Sequence, residues 1–216
     1  MKSTIPKPYK NERQVIYNKR FGVIFNGEDN LKPVITENAI DLSPTASQCA
    51  DTYESFLGGG GFEVDMSGVD LSDNWWDAIQ PNDILSSVCH YASRHQGCFI
   101  LVGYNALFQK DHFKVIPYEL CRVGKRDSKD FSGRVLVAPK GWGKNLKKEE
   151  VDVYDAYNPQ PDVIQAQVER DGGWDNYKGQ IMFFKMDNKY VYPLPLIDRA
   201  MPFCETEYHM GLYYLS

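Results

Sequence analysis

The chain has 216 residues, 43% hydrophobic and 25% charged, which fits a folded domain and excludes a disordered or fibrous chain. That length holds one domain, or one with a small appendage. No apolar run approaches the ~18–20 residues that span a bilayer, and the Met1-Lys-Ser-Thr-Ile-Pro start lacks a signal peptide's apolar centre, so a cytosolic, non-membrane protein is expected.

Five scattered cysteines, Cys49, Cys89, Cys98, Cys121 and Cys204, include no C-x-x-C pair and read as reduced, buried thiols. The net charge of -5 argues against a dedicated duplex-binding protein. Its distribution says more. Residues 1–20 carry six basic groups and one acidic, residues 28–83 one basic and twelve acidic, and residues 125–148 eight basic and two acidic. Such blocks either pair within one chain or bring copies together head to tail.

In chain order, the Lys-, Asn- and Pro-rich span 1–30 has no sustained period and reads as an extended N-terminal arm, of a kind ordered only by partners, ahead of a single domain over 31–216. The first clear element is a helix from Ser43-Pro44, with Ala46, Cys49, Ala50, Tyr53, Phe56 and Leu57 on one face, stopped by Gly58-Gly59-Gly60-Gly61. A second helix starts at Pro81-Asn82-Asp83, carries Ile84, Leu85, Val88, Tyr91 and Ala92 on one stripe, and ends near Gln96-Gly97. Cys98 to Val102 and Phe113 to Pro117 are expected to pair as strands across a loop at Asn105 to Asp111, and with the second helix to form the centre of the core. Further strands are expected at Arg134 to Val137 and Val151 to Asp155, a helix over Val163 to Arg170, and a hairpin of Ile181 to Phe184 with Tyr190 to Tyr192 around Asp187-Asn188. The tail from Phe203 to Tyr214 is expected to start a helix at Glu205. The fold class is α+β, a mostly antiparallel sheet with short packed helices.

Chemistry is sparse. Cys89, His90, His95 and Cys98 are metal-ligand types, but Cys89 and His95 lie six positions apart, about 120° off a common helical face, so core packing accounts for them better. Cys204 with His209 is no more compelling as a nucleophile pair. The glycine run lacks the Lys-Ser/Thr of a phosphate loop and follows a helix, so no cofactor is expected there. The carboxylates from Glu63 to Asp83 read as solvated surface, and Trp75-Trp76 and Trp142 as either core or interface anchors. The basic loop Lys140, Trp142, Lys144, Lys147 and Lys148 is the candidate contact for DNA or a neighbouring subunit.

An ordered series of segments carries a family resemblance. Ser43-Pro-Thr-Ala, a helix, then Phe56-Leu57-Gly58-Gly and Gly61-Phe62 come first. Tyr91-Ala-Ser-Arg-His-Gln-Gly97-Cys-Phe-Ile-Leu-Val-Gly-Tyr-Asn105 and Val115-Ile-Pro117-Tyr-Glu119-Leu-Cys-Arg122 follow. Val153-Tyr-Asp-Ala-Tyr157-Asn-Pro, Asp171-Gly-Gly173, Tyr177-Lys-Gly-Gln180-Ile and Tyr192-Pro-Leu-Pro195-Leu-Ile-Asp198 complete it. In order and spacing, residues 43–210 resemble the portal proteins of tailed bacteriophages, those of phages and prophages of Bacteroidetes in particular.

The resemblance implies a structural virion protein: the wing-like outer part of a ring subunit at the capsid vertex, the doorway for genome packaging and ejection. It implies self-association into a ring, with capsid, neck or adaptor and packaging-motor proteins as partners, at most weak non-specific DNA contact, no cofactor and no catalytic residue. Family members continue beyond the last matched segment into a channel helix and clip, so the expectation is a truncated or split portal, or a wing-like domain used alone. The alternative class is a small soluble α+β enzyme or ligand-binding domain.

Overall fold

The computed structural model describes residues 17–18, 20–62, 80–124, 133–143 and 145–215. Its centre is a six-stranded sheet in the order β4-β3-β8-β7-β6-β5, built from β3 (Gly97–Tyr104), β4 (Lys110–Ile116), β5 (Cys121–Val123), β6 (Arg134–Val137), β7 (Asp152–Ala156) and β8 (Gln180–Lys185). All neighbours are antiparallel except β7 and β8, which run parallel because helix α4 (Pro161–Asp171) crosses over between them. Before the sheet come the short pair β1 (Tyr17–Asn18) and β2 (Val23–Ile24), then helices α1 (Lys32–Leu42), α2 (Pro44–Gly58) and α3 (Pro81–His95); helix α5 (Met201–Leu215) follows it. The α+β class read from the sequence is the observed one.

The expected centre holds: α3 leads through Gln96 into β3, which pairs with β4 from Phe99 against Ile116 to Tyr104 against Lys110. Both faces of β3 are covered within the chain, as its unbroken apolar run demands. Phe99 enters a cluster with Ile116, Tyr118, Cys121, Val135 and Ile181, while Cys98, Ile100 and Val102 meet Ile164 and Val168 of α4 on the other face. Gly97 and Gly179 are required by close approach. A Cβ at Gly97 would lie 2.7 Å from the Phe184 carbonyl, and one at Gly179, where φ is +86°, would lie 2.5 Å from the Val102 carbonyl.

Three expectations are corrected. Residues 20–30, assigned to a partner-ordered arm, pack into the domain. Val23 is fully buried among Leu136, Ala138, Trp142 and Leu146, and Asn30 is held by Arg122, whose Nε donates to its side-chain oxygen at 2.5 Å and whose second terminal nitrogen donates to its carbonyl at 2.6 Å. Residues 1–16 lie outside the described residues. Tyr190 to Tyr192 does not form a strand; the buried Tyr192 instead uses its hydroxyl, which donates to the Ile24 carbonyl at 2.9 Å and accepts from the Val123 amide at 2.7 Å. The tail helix begins at Met201, before Glu205. Among the described residues no helix is long and apolar enough to cross a membrane.

Candidate assembly surface

Helix α1 divides its chemistry between flanks. At about 100° per residue, Glu37 and Asp41 fall on one flank, and Leu31, Ile35 and Leu42 fall within about 40° of one another on the other, with Ala39 between them and the buried face. The acidic flank is satisfied. Glu37 accepts from His95 Nε2 at 2.7 Å, and Arg94 of α3 lies 3.4 Å from Glu37, Asp41 and Asp51. Burial raises the Glu37 carboxyl, yet the hydrogen bond and charge of His95, with Arg94 behind it, outweigh that and hold it below its ordinary value. The His95 ring stacks on Tyr118 at 4.3 Å, which fixes its orientation. Three carboxylates of the acidic block, Glu37, Asp41 and Asp51, thus share Arg94 inside one chain, with His95 on Glu37 as well.

The apolar flank is not satisfied. Leu31, Val34, Ile35 and Leu42 are exposed, and helix α5 runs beside that flank. Cys204 of α5 packs against Ala39 and Ala46, with Ile197 and Met201 beside them. Glu207 accepts a short hydrogen bond from Ser43 and another from Thr45 Oγ1 at 2.7 Å. Ser43 also caps α2 by accepting from the Ala46 amide at 3.1 Å, so the Glu207 carboxylate sits at the positive end of α2, where the Ser43 and Thr45 hydrogen bonds hold it below its ordinary value. These contacts leave Phe203, Met210, Leu212 and Tyr214 facing solvent, with Phe203 74% exposed. Leu42, Pro44, Phe203, Met210 and Leu212 line an apolar groove of about 540 Å³. Exposed apolar side chains gathered on two adjacent helices make this a candidate interaction surface.

Of the basic-loop residues, Trp142 is not a surface contact. It is buried, donates from Nε1 to the Leu120 carbonyl at 2.8 Å, and packs edge-on against Phe21 at 5.7 Å and under Arg122 at 5.4 Å. Of the two readings open for Trp142, core or interface anchor, the structure gives the first: it is the plug that seats the loop on the sheet. Lys140, Lys147 and Lys148 are exposed, and Lys140 is paired with Glu150 at 2.7 Å. Lys144, Trp75-Trp76 and the carboxylates from Glu63 to Asp77 lie outside the described residues.

Catalytic chemistry finds little footing among the described residues. Burial pushes the Cys98 thiol up to about 12 and raises Cys89 and Cys121, which disfavours thiolate. Among the described residues no three metal-ligating side chains converge. A polar cleft of about 380 Å³ between β7 and α4 holds Arg170 and Lys178, but Arg170 already pairs with Asp155 and Asp171, and Lys178 with Asp152. Gln180 is buried and saturated: its oxygen accepts from the Tyr104 hydroxyl and the Asn158 amide, and its nitrogen donates to the Asn158 carbonyl and Gln167. Gly97, Arg122, Gly179 and Gln180, all quoted for the family resemblance, therefore act in holding the fold.

Fold and surface define an α+β domain whose outstanding chemical feature is an uncovered apolar helical flank. Comparisons with family models, with curated proteins and with solved structures return no match to this chain.

Proposed function

We propose that this chain is an assembly subunit, a portal-like wing domain that associates with copies of itself at a capsid vertex and catalyses no reaction. The observation that carries the reading is the apolar groove between α1 and α5, whose lining residues Leu42, Phe203, Met210 and Leu212 the chain leaves exposed. The ordered portal-like series over residues 43–210 supplies the kind of assembly: a ring serving genome packaging and ejection, built in the bacterial host cytoplasm and retained in the virion, with capsid, neck and packaging-motor proteins as its other partners. Contact with DNA is weak and independent of sequence, through Lys147 and Lys148 first.

Multi-angle light scattering across a hundredfold concentration range tests this. Mass that rises with concentration, with rings in negative-stain images, supports the proposal. A constant monomer mass refutes it and favours the ligand-binding alternative.

A further inference from the structure

The two edges of the six-stranded sheet differ. At the β5 edge, β2 lies alongside and Val23 bridges Gly124. At the β4 edge, the Asn105 amide reaches the Gln109 carbonyl on the β4 side, whereas the Val102 carbonyl lies on the β8 side, against Gly179. Backbone groups alternate in direction along a strand, so the odd-numbered residues of β3 point at β4, and the register of Leu101 with Lys114 and Phe99 with Ile116 turns Lys114 and Ile116 inward. The amides and carbonyls of Phe113 and Val115 are left facing out, and among the described residues no backbone group pairs with them. This edge is bare.

Its side chains state what it accepts. Phe113 and Val115 lean, half-buried, on the cluster of Ile100 and Val102, so a strand laid beside them needs apolar residues on that face. Lys114 projects from the other face, exposed and with no carboxylate partner among the described residues. A strand alternating apolar residues with carboxylates meets both demands, because opposite charges facing each other across a ladder stabilise it. A second β4 does not. Laid antiparallel, the registers that pair Phe113 with Phe113 or with Val115 set Lys114 against His112 or against Lys114, and a lysine in such a place guards an edge against its own copy.

We infer that the β4 edge receives an extended segment of another protein, alternating carboxylates with apolar side chains, as one more strand of the sheet. Main-chain hydrogen bonds to Phe113 and Val115 hold the segment, and Lys114 selects its charge. The inference stands apart from the proposed self-association, which uses α1 and α5.

An acetylated, amidated heptapeptide alternating glutamate with valine is the probe, titrated into the isotope-labelled full chain below the concentration at which copies associate. Amide resonance shifts should concentrate at Phe113 to Val115. The same peptide with its valine nitrogens methylated should bind at least about tenfold more weakly, since it has lost the donors that face the edge. Lys114→Glu alters an exposed side chain, and its melting temperature reports retained folding. This variant should prefer a lysine–valine heptapeptide over the glutamate–valine one by about threefold or more, the reverse of wild type. No shift at millimolar peptide, equal binding of the methylated peptide, or an unreversed preference in Lys114→Glu overturns the inference. Concentration-dependent shifts at Phe113 and Val115 in the chain alone give the edge to a second copy; they overturn it too and leave self-association standing. A chain that takes the peptide but never associates upholds the inference and removes the assembly reading.

Discussion

The surroundings of β3 and the α1–α5 flank are built from similar residues and stand in opposite states. Around β3, Phe99 stacks on Phe183 at 4.1 Å, Ile100 and Val102 are covered by α4, and the buried Gln180 has its hydrogen-bonding capacity filled. On the flank, Leu31, Ile35, Leu42, Phe203 and Met210 are exposed, from 38% at Leu31 to 74% at Phe203. Hydrophobic content alone therefore does not separate stability from assembly; what separates them is whether the opposing surface comes from the same chain.

The largest expected effect sharpens that contrast. Phe99→Ala removes a fully buried ring and should cost about 3–5 kcal/mol, read as a fall in the denaturant midpoint. Phe203→Ala, an equal truncation on the flank, should change monomer stability by no more than about 0.5 kcal/mol while weakening association. If both variants unfold alike, the flank is core in solution and the contrast fails.

A second, smaller effect tests the boundary between the closed region and the segment before α1. Arg122 is fully buried with no carboxylate partner among the described residues; the carbonyls of Asn30, Glu119 and Cys121 and the side chain of Asn30 accept its hydrogen bonds, and burial lowers its proton affinity. Arg122→Leu leaves these acceptors dry and unpaired, at about 2–3 kcal/mol. Hydrogen exchange should rise first at residues 20–30, because that segment hangs on Asn30. Uniform loss of protection instead would mean Arg122 supports the whole sheet.

The same contrast explains what the sequence disclosed. Elements closed on themselves were legible: α3, β3 and β4 carry apolar residues inward at their own period, and Arg134 to Val137 is a strand with the expected ends. Helix α1 was missed because its buried face is Pro33, Thr36, Ala39 and Ile40, part polar and part small, whereas its more apolar residues point outward. That inversion is itself the signal: Leu31, Ile35 and Leu42 share a face that the chain leaves exposed. Residues 20–30 were read as an arm because Asn26 and Asn30 look like loop composition; their burial depends on Arg122, 92 positions away from Asn30, which no local pattern displays. Tyr190 to Tyr192 reads as a strand because it follows the turn residues Asp187-Asn188, but Tyr192 is buried for its hydroxyl as well as its ring.

Acid should loosen the join between α1 and α3. Glu37 has its folded-state affinity for protons depressed below the ordinary 4.5, chiefly by His95 once the opposing effect of burial is overcome. The folded chain then binds fewer protons than the unfolded chain in that range, so stability rises with pH there. The contribution is complete above the unfolded value and is lost as pH falls through the depressed one. Glu37→Gln should cost about 1.5–3 kcal/mol at neutral pH, in the range of hydrogen bonds to charged groups, and flatten the acid limb of the stability profile. An unchanged limb would assign the acid sensitivity to other carboxyls.

The smallest effect concerns the basic loop, where the structure separates lysines that the sequence presents as one group. Lys140 spends its charge on Glu150, whose hydrogen bond raises its proton affinity, whereas Lys147 and Lys148 extend from the turn that Glu150 braces through the Lys147 amide at 3.0 Å. Each lysine that neutralises a phosphate contributes about -0.9 to the slope of log affinity against log salt. Lys147→Ala and Lys148→Ala should therefore each reduce the slope of weak duplex retention by nearly one unit. Lys140→Ala should reduce it by less, since Glu150 competes with any phosphate. None of the three should alter assembly or melting temperature, because exposed pairs contribute little to either. Equal slopes for all three would mean that Glu150 releases Lys140 when DNA arrives, and a mass change in any of them would assign this loop to a contact between copies and not to DNA.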